Sequence, residues 1–270
     1  MLRIGVVGCG AIGTEICKAT DHKTVKAQLV AIYDRNHDKA INLAKSLKKT
    51  PQILDIQEMV KQIDLIVECA SQEAVPLVAI PALLNKKDVV ILSVGALVDS
   101  ELLNKITKLA RENNCKVYLP SGAIAGLDGI KSASIAKIDT VTLVTSKPPS
   151  GLKGAPYIIE KKIDLDLLKK ASVIFEGSAE KAAKYFPANV NVAVALSLAS
   201  LGVKKTKVKI IANPALTKNM HKIVVQGEFG KIETRVENVP SPTNPKTSYL
   251  AALSAIATLK KIAEPIQIGT

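Results

Sequence analysis

The sequence is poor in aromatic side chains: tryptophan is absent, and aromatic residues make up 3% of the 270 residues. A folded core must therefore be built from Ile, Leu, Val and Ala, and hydrophobic residues reach 47% of the chain. The four cysteines form neither a CxxC pair nor a metal-type cluster with histidine. We expect reduced, buried thiols in a cytoplasmic protein, and no bound metal.

Long apolar runs are also missing, so we expect no membrane-spanning helix. The short apolar start is broken by glycines, and we do not interpret it as a signal peptide. The net charge of +13 comes almost entirely from lysines, since arginine occurs only at positions 3, 35, 111 and 235. The scattered lysines indicate a solvated surface that attracts anionic ligands, rather than the basic stripe of a nucleic-acid-binding protein.

The first 120 residues alternate short apolar runs with helical patterns. Continuous apolar runs are typical of parallel strands buried on both faces. The pattern predicts strands at 2–7, 27–33, 65–68, 89–94 and 116–119, and helices near 11–20, 37–48, 75–85 and 100–113. We therefore predict an α/β fold with an N-terminal Rossmann dinucleotide-binding domain.

After residue 120 the pattern changes. Strand-like runs at 140–146, 206–212, 222–229 and 231–237 and a helix near 189–201 indicate a smaller α+β domain with a mainly antiparallel sheet. A further helix is predicted from Pro245 to Lys261, with proline in its first turn and lysines at its end. We assign 121–239 to the substrate domain, and 1–120 with 240–270 to a discontinuous dinucleotide-binding domain.

A GxGxxG motif links the first strand to the first helix. Gly8 permits a tight turn, Gly10 lets the backbone approach a pyrophosphate, and Gly13 lets helix and strand pack closely. Ala11 and Ile12 complete the motif at a helix N-terminus, which binds phosphate. The motif therefore predicts a cofactor site.

Asp34 ends the second predicted strand, where the acid that binds the cofactor ribose belongs. Arg35 follows it and could accommodate the 2′-phosphate of NADP, although an exposed loop cation is an equal alternative. We predict NAD or NADP as the cofactor, with NAD first.

Segments throughout the chain resemble the L-aspartate dehydrogenase family. They are Val67-Glu-Cys-Ala-Ser71, Ser93-Val-Gly-Ala96, Pro120-Ser-Gly-Ala-Ile-Ala-Gly-Leu-Asp128, Thr145-Ser-Lys-Pro-Pro149, Phe186-Pro-Ala-Asn-Val-Asn-Val192, His221 before Gly227-Glu-Phe-Gly230, and Pro240-Ser-Pro-Thr-Asn-Pro-Lys-Thr-Ser248. The resemblance implies NAD(P)-dependent oxidation of L-aspartate to iminoaspartate, which hydrolyses to oxaloacetate and ammonia. It also implies a link to NAD biosynthesis and a last helix that returns to the cofactor domain. We expect a homodimer.

The resemblance implies that His221 is catalytic and that Ala125 and Asn191 contact the cofactor. Residue chemistry agrees for His221, because amino-acid oxidation needs a base, and histidine has an unperturbed pKa near neutrality. His22 and His37 lie in polar segments and are expected at the surface. From residue type alone, a structural role for His221 remains the alternative to a catalytic one.

Alternatives remain for the other polar residues. Asn189 and Asn191 open an apolar helix, where asparagine is also a good N-cap. Ala125 lies between Gly122 and Gly126, in a loop that could equally be a tight linker. Lys147 and Lys246 could bind a substrate carboxylate, but a solvated surface position is the expectation for each.

Three other functions stay open at this stage. A reductase of the dihydrodipicolinate reductase or homoserine dehydrogenase type would have the same fold but act on a different substrate. A nucleotide-sensing protein would keep the Rossmann domain without turnover. A nucleic-acid-binding protein would bind arbitrary DNA in a salt-sensitive way.

Overall fold

The computed structural model of the protein describes residues 1–187, 190–241 and 244–269. The chain divides into two compact units. The first comprises Met1–Gly122 and Ala251–Ile268, and the body of the second lies within Ala123–Leu250. Among the described residues, no helix combines the length and the apolar character needed to cross a bilayer.

The first unit contains a six-stranded parallel sheet with the strand order β3-β2-β1-β4-β5-β6. Its strands are β1 (Leu2–Val7), β2 (Ala27–Tyr33), β3 (Gln52–Ile53), β4 (Leu65–Glu68), β5 (Asp88–Ile91) and β6 (Val117–Tyr118). The order reverses between β1 and β4, and ligands bind at such a switch point, outside the carboxyl ends of the strands. The predicted Rossmann fold is confirmed.

Five helices connect these strands: α1 (Ala11–Asp21), α2 (His37–Ser46), α3 (Ile56–Met59), α4 (Ala74–Leu84) and α5 (Ser100–Glu112). Polar side chains cap several of them; Asn36, for example, accepts a hydrogen bond from the Lys39 N–H at the start of α2. The sequence did not predict β3 or α3, which are only two and four residues long. Periodicity cannot be read from segments this short.

The second unit contains a five-stranded sheet with the order β11-β10-β7-β9-β8. Its strands are β7 (Ile138–Lys147), β8 (Ser172–Ser178), β9 (Lys207–Ala212), β10 (Asn219–Gly227) and β11 (Gly230–Asn238). Only the β7–β9 pair is parallel within this sheet, so the predicted mainly antiparallel arrangement is confirmed. Its helices are α6 (Leu127–Ala133), α7 (Pro156–Glu160), α8 (Ala179–Tyr185) and α9 (Asn191–Leu198).

Pro245 does not start a helix, which corrects the prediction. Residues in β13 (Asn244–Ser248) pair with β12 (Pro240–Ser241), and α10 begins only afterwards, at Tyr249–Ala263. The Tyr249 N–H donates to the Val239 carbonyl, and the Ser248 hydroxyl donates to the Asn238 side chain. These non-local bonds override the local helix propensity. The chain accordingly enters the first unit at Ala251 rather than at residue 240.

Helix α10 contributes directly to the core of the first unit. Ala255 and Leu259 are fully buried in one cluster with Ile4, Val6 and Leu65 of the parallel sheet. Burial of a leucine side chain such as Leu259 contributes about 1.5–3 kcal/mol. The end of the chain therefore stabilises the same unit as its beginning.

Candidate functional site

The turn between β1 and α1 can be formed only with glycine at two of its positions. Gly8 has a φ of 105°, and a Cβ there would lie 2.6 Å from the Cys69 carbonyl oxygen. The Gly8 N–H donates to the Tyr33 carbonyl at 2.7 Å, which ties the turn to β2. A Cβ on Gly13 would overlap the carbonyl oxygen of Gly8. These two glycines are needed for the fold itself.

Gly10 differs from its neighbours because its space is open. It is exposed at the N-cap of α1, and a Cβ there would meet no atom within 4 Å. Ala11 and Ile12 form the half-buried first turn of the helix, whose leading N–H groups have no partner within the helix. An open space before unpaired N–H groups fits the pyrophosphate of a dinucleotide.

Asp34 lies beside this turn, immediately after β2. One carboxylate oxygen accepts the Cys9 N–H at 2.7 Å, and the other accepts the Asn36 N–H at 2.8 Å. Each oxygen keeps a further lone pair for a ribose hydroxyl. Arg35 is exposed next to it. Hydrogen bonds from Ser71 and from the Glu73 backbone lower the pKa of the Glu73 carboxyl, and the nearby charge of Arg35 lowers it further.

Glu68 is a buried carboxylate that the sequence analysis did not single out. It ends β4 with no exposed surface and accepts hydrogen bonds from the Ala70 N–H, the Ser93 N–H and the Ser93 hydroxyl. Burial raises its pKa in spite of these donors. Glu68 thus joins the carboxyl ends of β4 and β5. The sequence does carry a signal for this buried carboxylate, because Glu68 is a charged residue at the end of an otherwise apolar strand.

His221 lies in the second unit, third in β10 and directly opposite Thr145 of β7. Its side chain is 6% exposed, and Nδ1 lies 3.0 Å from the Thr145 hydroxyl oxygen. Burial, and secondarily the charge of Lys147, lower the pKa of His221 to about 4. Desolvation of the ring thus moves its pKa away from the unperturbed value near neutrality. His22 and His37 are exposed, as predicted.

Lys147 is not a solvated surface residue, which corrects the expectation. Its side chain is 8% exposed at the end of β7, and burial lowers its pKa to about 8. The sequence could not reveal this burial, because the lysine follows two polar residues and precedes two prolines. Lys246 lies where the structure describes the backbone alone.

The loop that carries Ala125 is held by side chains of β11. The Thr234 hydroxyl donates to the Ala125 carbonyl at 3.3 Å, and the Asn238 amide donates to the Ala123 carbonyl at 3.0 Å. Gly126 has a φ of 86° and leads directly into α6. Ala125 itself is exposed. The loop is therefore anchored to the sheet of the second unit.

Asn191 is the first residue of α9 and is exposed. The N-cap is Val190, without a side-chain cap, so the capping role considered for Asn191 is wrong. Asn189 lies outside the described residues. Val190 and Ala193 line one small cavity together with Thr145 and Lys147, which brings the start of α9 close to these residues of β7.

Two family models match the chain. The one described as the NAD-binding domain of homoserine dehydrogenase matches residues 8–120, and the one described as the C-terminal part of aspartate dehydrogenase matches residues 128–262. The chain is similar to L-aspartate dehydrogenases of Methanococcoides burtonii and Methanosarcina acetivorans, at 60% and 57% identity over 100% of each chain. It is also similar to the crystal structure of an aspartate dehydrogenase from Thermotoga maritima, with a TM-score of 0.78, 30% identity and full coverage of both chains.

Proposed function

Because the chain belongs to the aspartate dehydrogenase family and carries an NAD-binding domain, we propose that it oxidises L-aspartate to iminoaspartate, which hydrolyses to oxaloacetate and ammonia. The observation that carries this proposal is His221, a buried imidazole held across two strands by Thr145. A nucleotide-sensing protein would have no need for such a base.

The cofactor would be held by the β1–α1 turn and Asp34. The first-turn N–H groups of α1 would bind the pyrophosphate beside the open space at Gly10, and Asp34 would accept from the ribose hydroxyls. The family resemblance implies that Ala125 and Asn191, both exposed, would also contact the cofactor. When bound, NAD or NADP accepts the hydride. Asp34 favours NAD, and Arg35 would permit some use of NADP.

His221 would act as the general base. With a pKa of about 4 the free imidazole is neutral at physiological pH and can accept a proton. If Nδ1 carries the ring proton and donates to Thr145, the lone pair lies on Nε2. That nitrogen would take a proton from the substrate ammonium, so that hydride can leave Cα. After releasing this proton to solvent, it would take one from the water that attacks the imine.

Turnover by the purified protein tests the proposal. NADH absorbance should rise with L-aspartate and NAD but not with D-aspartate or homoserine, and His221→Ala should lower kcat by roughly 10²–10⁴-fold. The melting temperature checks that the variant is folded. Absence of turnover with L-aspartate in the wild-type protein would refute the function. A folded His221→Ala variant with normal turnover would refute the role of His221.

We also propose that the protein is a homodimer, formed through the sheet face opposite the core of the second unit. Val144 and Val224 lie half-buried on that face, flanked by the ion pairs Lys222–Glu233 and Lys209–Glu176. A mixed face that carries both charge signs can be complementary to itself across a two-fold axis. Light scattering should give the mass of a dimer, and Val224→Lys should give a monomer.

We further propose a cytoplasmic location and a link to NAD biosynthesis. The four cysteines are all free thiols, which supports a cytoplasmic location. A link to NAD biosynthesis is supported by family membership alone. Loss of the gene should then slow growth when the medium lacks nicotinamide.

A further inference from the structure

Two segments that resemble the family, 67–71 and 93–96, have no part in the chemistry proposed above. The first spans the end of β4 and the start of the loop after it, and the second lies in the loop after β5. These two strands are neighbours in the parallel sheet, with Glu68 in register with Ile91. The segments therefore meet at the carboxyl edge of the sheet, and the Glu68 carboxylate joins them.

Every hydrogen bond to the Glu68 carboxylate comes from a donor. Its Oε1 accepts the Ala70 N–H and the Ser93 hydroxyl, each at 2.8 Å, and its Oε2 accepts the Ser93 N–H at 3.0 Å. The Ser71 backbone donates a further hydrogen bond. A carboxylate accepts on both oxygens, whereas an amide accepts on one side only. The surroundings thus call for the charged side chain that the sequence provides.

The position of Glu68 separates its burial from the groups that it holds. Glu68 has no exposed surface, as has Ile66, which precedes it by two residues and so lies on the same face of β4. Burying a charge is costly, and an apolar side chain would fill the interior without that cost. Ala70 and Ser71, which the carboxylate fixes, are both exposed. The contribution of the charge therefore lies in the shape of an exposed loop.

This loop packs directly against the dinucleotide turn. The Cys69 N–H donates to the Val7 carbonyl at 2.9 Å, and the Cys69 thiol lies 3.3 Å from the Gly8 carbonyl oxygen. A Cβ on Gly8 would lie 2.9 Å from the Cα of Ala70. The strand order reverses between β1 and β4, and dinucleotides bind in the crevice at such a point. The backbone that Glu68 holds is therefore placed at the edge of that crevice.

We propose that Glu68 is a positioning residue for the cofactor, whose carboxylate fixes the exposed backbone of Ala70 and Ser71 as a wall of the dinucleotide site beside Gly8. This inference rests on the proposed function, because it takes the crevice to hold NAD or NADP. Glu68 is fully buried, so it acts through the loop rather than by contact. A wall that is already ordered in the free protein lowers the entropy lost when the cofactor binds.

Amide hydrogen exchange of the wild-type protein tests where the wall lies. NADH should slow exchange in peptides that cover residues 69–73 as well as in those that cover the glycine turn at 8–13. Protection of 8–13 with unchanged exchange at 69–73 would overturn the proposal, because the loop would then not border the cofactor.

Glu68→Gln tests the carboxylate itself. The variant keeps the size of the side chain but turns an amide donor toward one of the donors from Ala70 or Ser93. NADH should bind about tenfold more weakly in a fluorescence titration. The KM for NAD should rise by the same factor, and kcat at saturating NAD should be retained. Ile66→Ala is the matched control, because it removes buried contacts on the same strand and face; its melting temperature should fall while its Kd for NADH stays unchanged.

Ser93→Ala provides a milder variant in case Glu68→Gln does not fold. It removes only the hydroxyl donor, so NADH affinity should fall about threefold. Combined with Glu68→Gln, the loss should be smaller than the product of the two single losses, because both act through one carboxylate.

Wild-type NADH affinity in folded Glu68→Gln, or in folded Ser93→Ala, would overturn the assignment. An equal loss of affinity in Ile66→Ala would also overturn it, by showing that general destabilisation weakens binding. NADH binding is measured without turnover, so either result leaves the proposed function intact if the wild-type protein oxidises L-aspartate. NADH binding that depends on Glu68, in a protein that does not oxidise L-aspartate, would refute the proposed function and support the role of Glu68.

Discussion

The Thr145 hydroxyl lies 3.0 Å from Nδ1 of His221, and the two residues face each other across β7 and β10 although 76 positions separate them in the chain. Both side chains are buried, with Thr145 only 3% exposed. In a buried site a hydrogen bond of this kind sets both the orientation and the tautomer of an imidazole. We therefore expect Thr145 to be a positioning residue for His221, the proposed base.

Replacing Thr145 by valine keeps the shape of the side chain but removes the hydroxyl. We expect kcat to fall about tenfold because Nδ1 loses its partner, which contributes about 1–2 kcal/mol. The KM for NAD should stay unchanged, and Thr145→Ser should restore kcat. Steady-state kinetics measure each value. Equal kcat in the valine and serine variants would show that the hydroxyl does not position His221.

The lowered pKa of His221 predicts a loss of stability in mild acid. Below about pH 6.5 the unfolded imidazole binds a proton, whereas the folded one binds it only near pH 4. The free energy of unfolding should therefore fall by about 2 kcal/mol between about pH 7.5 and pH 5 on account of this residue. Urea unfolding of wild type and His221→Leu at both values gives the difference. Identical pH dependence in the two proteins would contradict the prediction.

Gly10 and Gly13 should respond differently to alanine. Gly13→Ala places a methyl group against the Gly8 carbonyl, so the melting temperature should drop. Gly10→Ala meets no atom within 4 Å, so stability should be retained. Its methyl group would occupy the space for the pyrophosphate and weaken NAD binding by roughly 10–100-fold. Normal NAD affinity in Gly10→Ala would place the cofactor elsewhere.

Asp34 should set the cofactor preference. Asp34→Ala removes the acceptor for the ribose hydroxyls, so NAD should bind roughly 10–100-fold more weakly, and NADP should lose less. Asp38→Ala is the control, because Asp38 is an exposed acid in the first turn of α2. Fluorescence titration with NADH and NADPH measures both affinities. An equal loss for both cofactors would mean that Asp34 acts only by holding the Cys9 and Asn36 N–H groups.

Leu259 tests the contribution of α10 to the first unit. It is fully buried in the core cluster, so Leu259→Ala should lower the free energy of unfolding by about 2–5 kcal/mol. Leu253 on the same helix is 41% exposed, and its replacement by alanine should have a much smaller effect. Circular dichroism during urea unfolding follows both variants. Similar losses at the two positions would argue against specific packing of Leu259.

Much of the first unit could be predicted because its signals are local. The glycine motif and Asp34 occur in order within the first 34 residues and predict the cofactor turn. Apolar runs that alternate with helical patterns predict the parallel sheet. β8 was not predicted, because its apolar and polar residues do not alternate strongly. The helix start at Pro245 was wrong because residues 244–248 pair with a strand instead.

The sequence by itself determined the fold class, the cofactor turn and the presence of a histidine in a strand of the second unit. Only the tertiary structure decided the lowered pKa of that histidine and the burial of Lys147 and Glu68. The physical reason is that a pKa depends on desolvation and on charges brought close by long-range strand pairing. His221 and Thr145 acquire their chemistry from a register that joins distant parts of the chain, and no local pattern encodes that register.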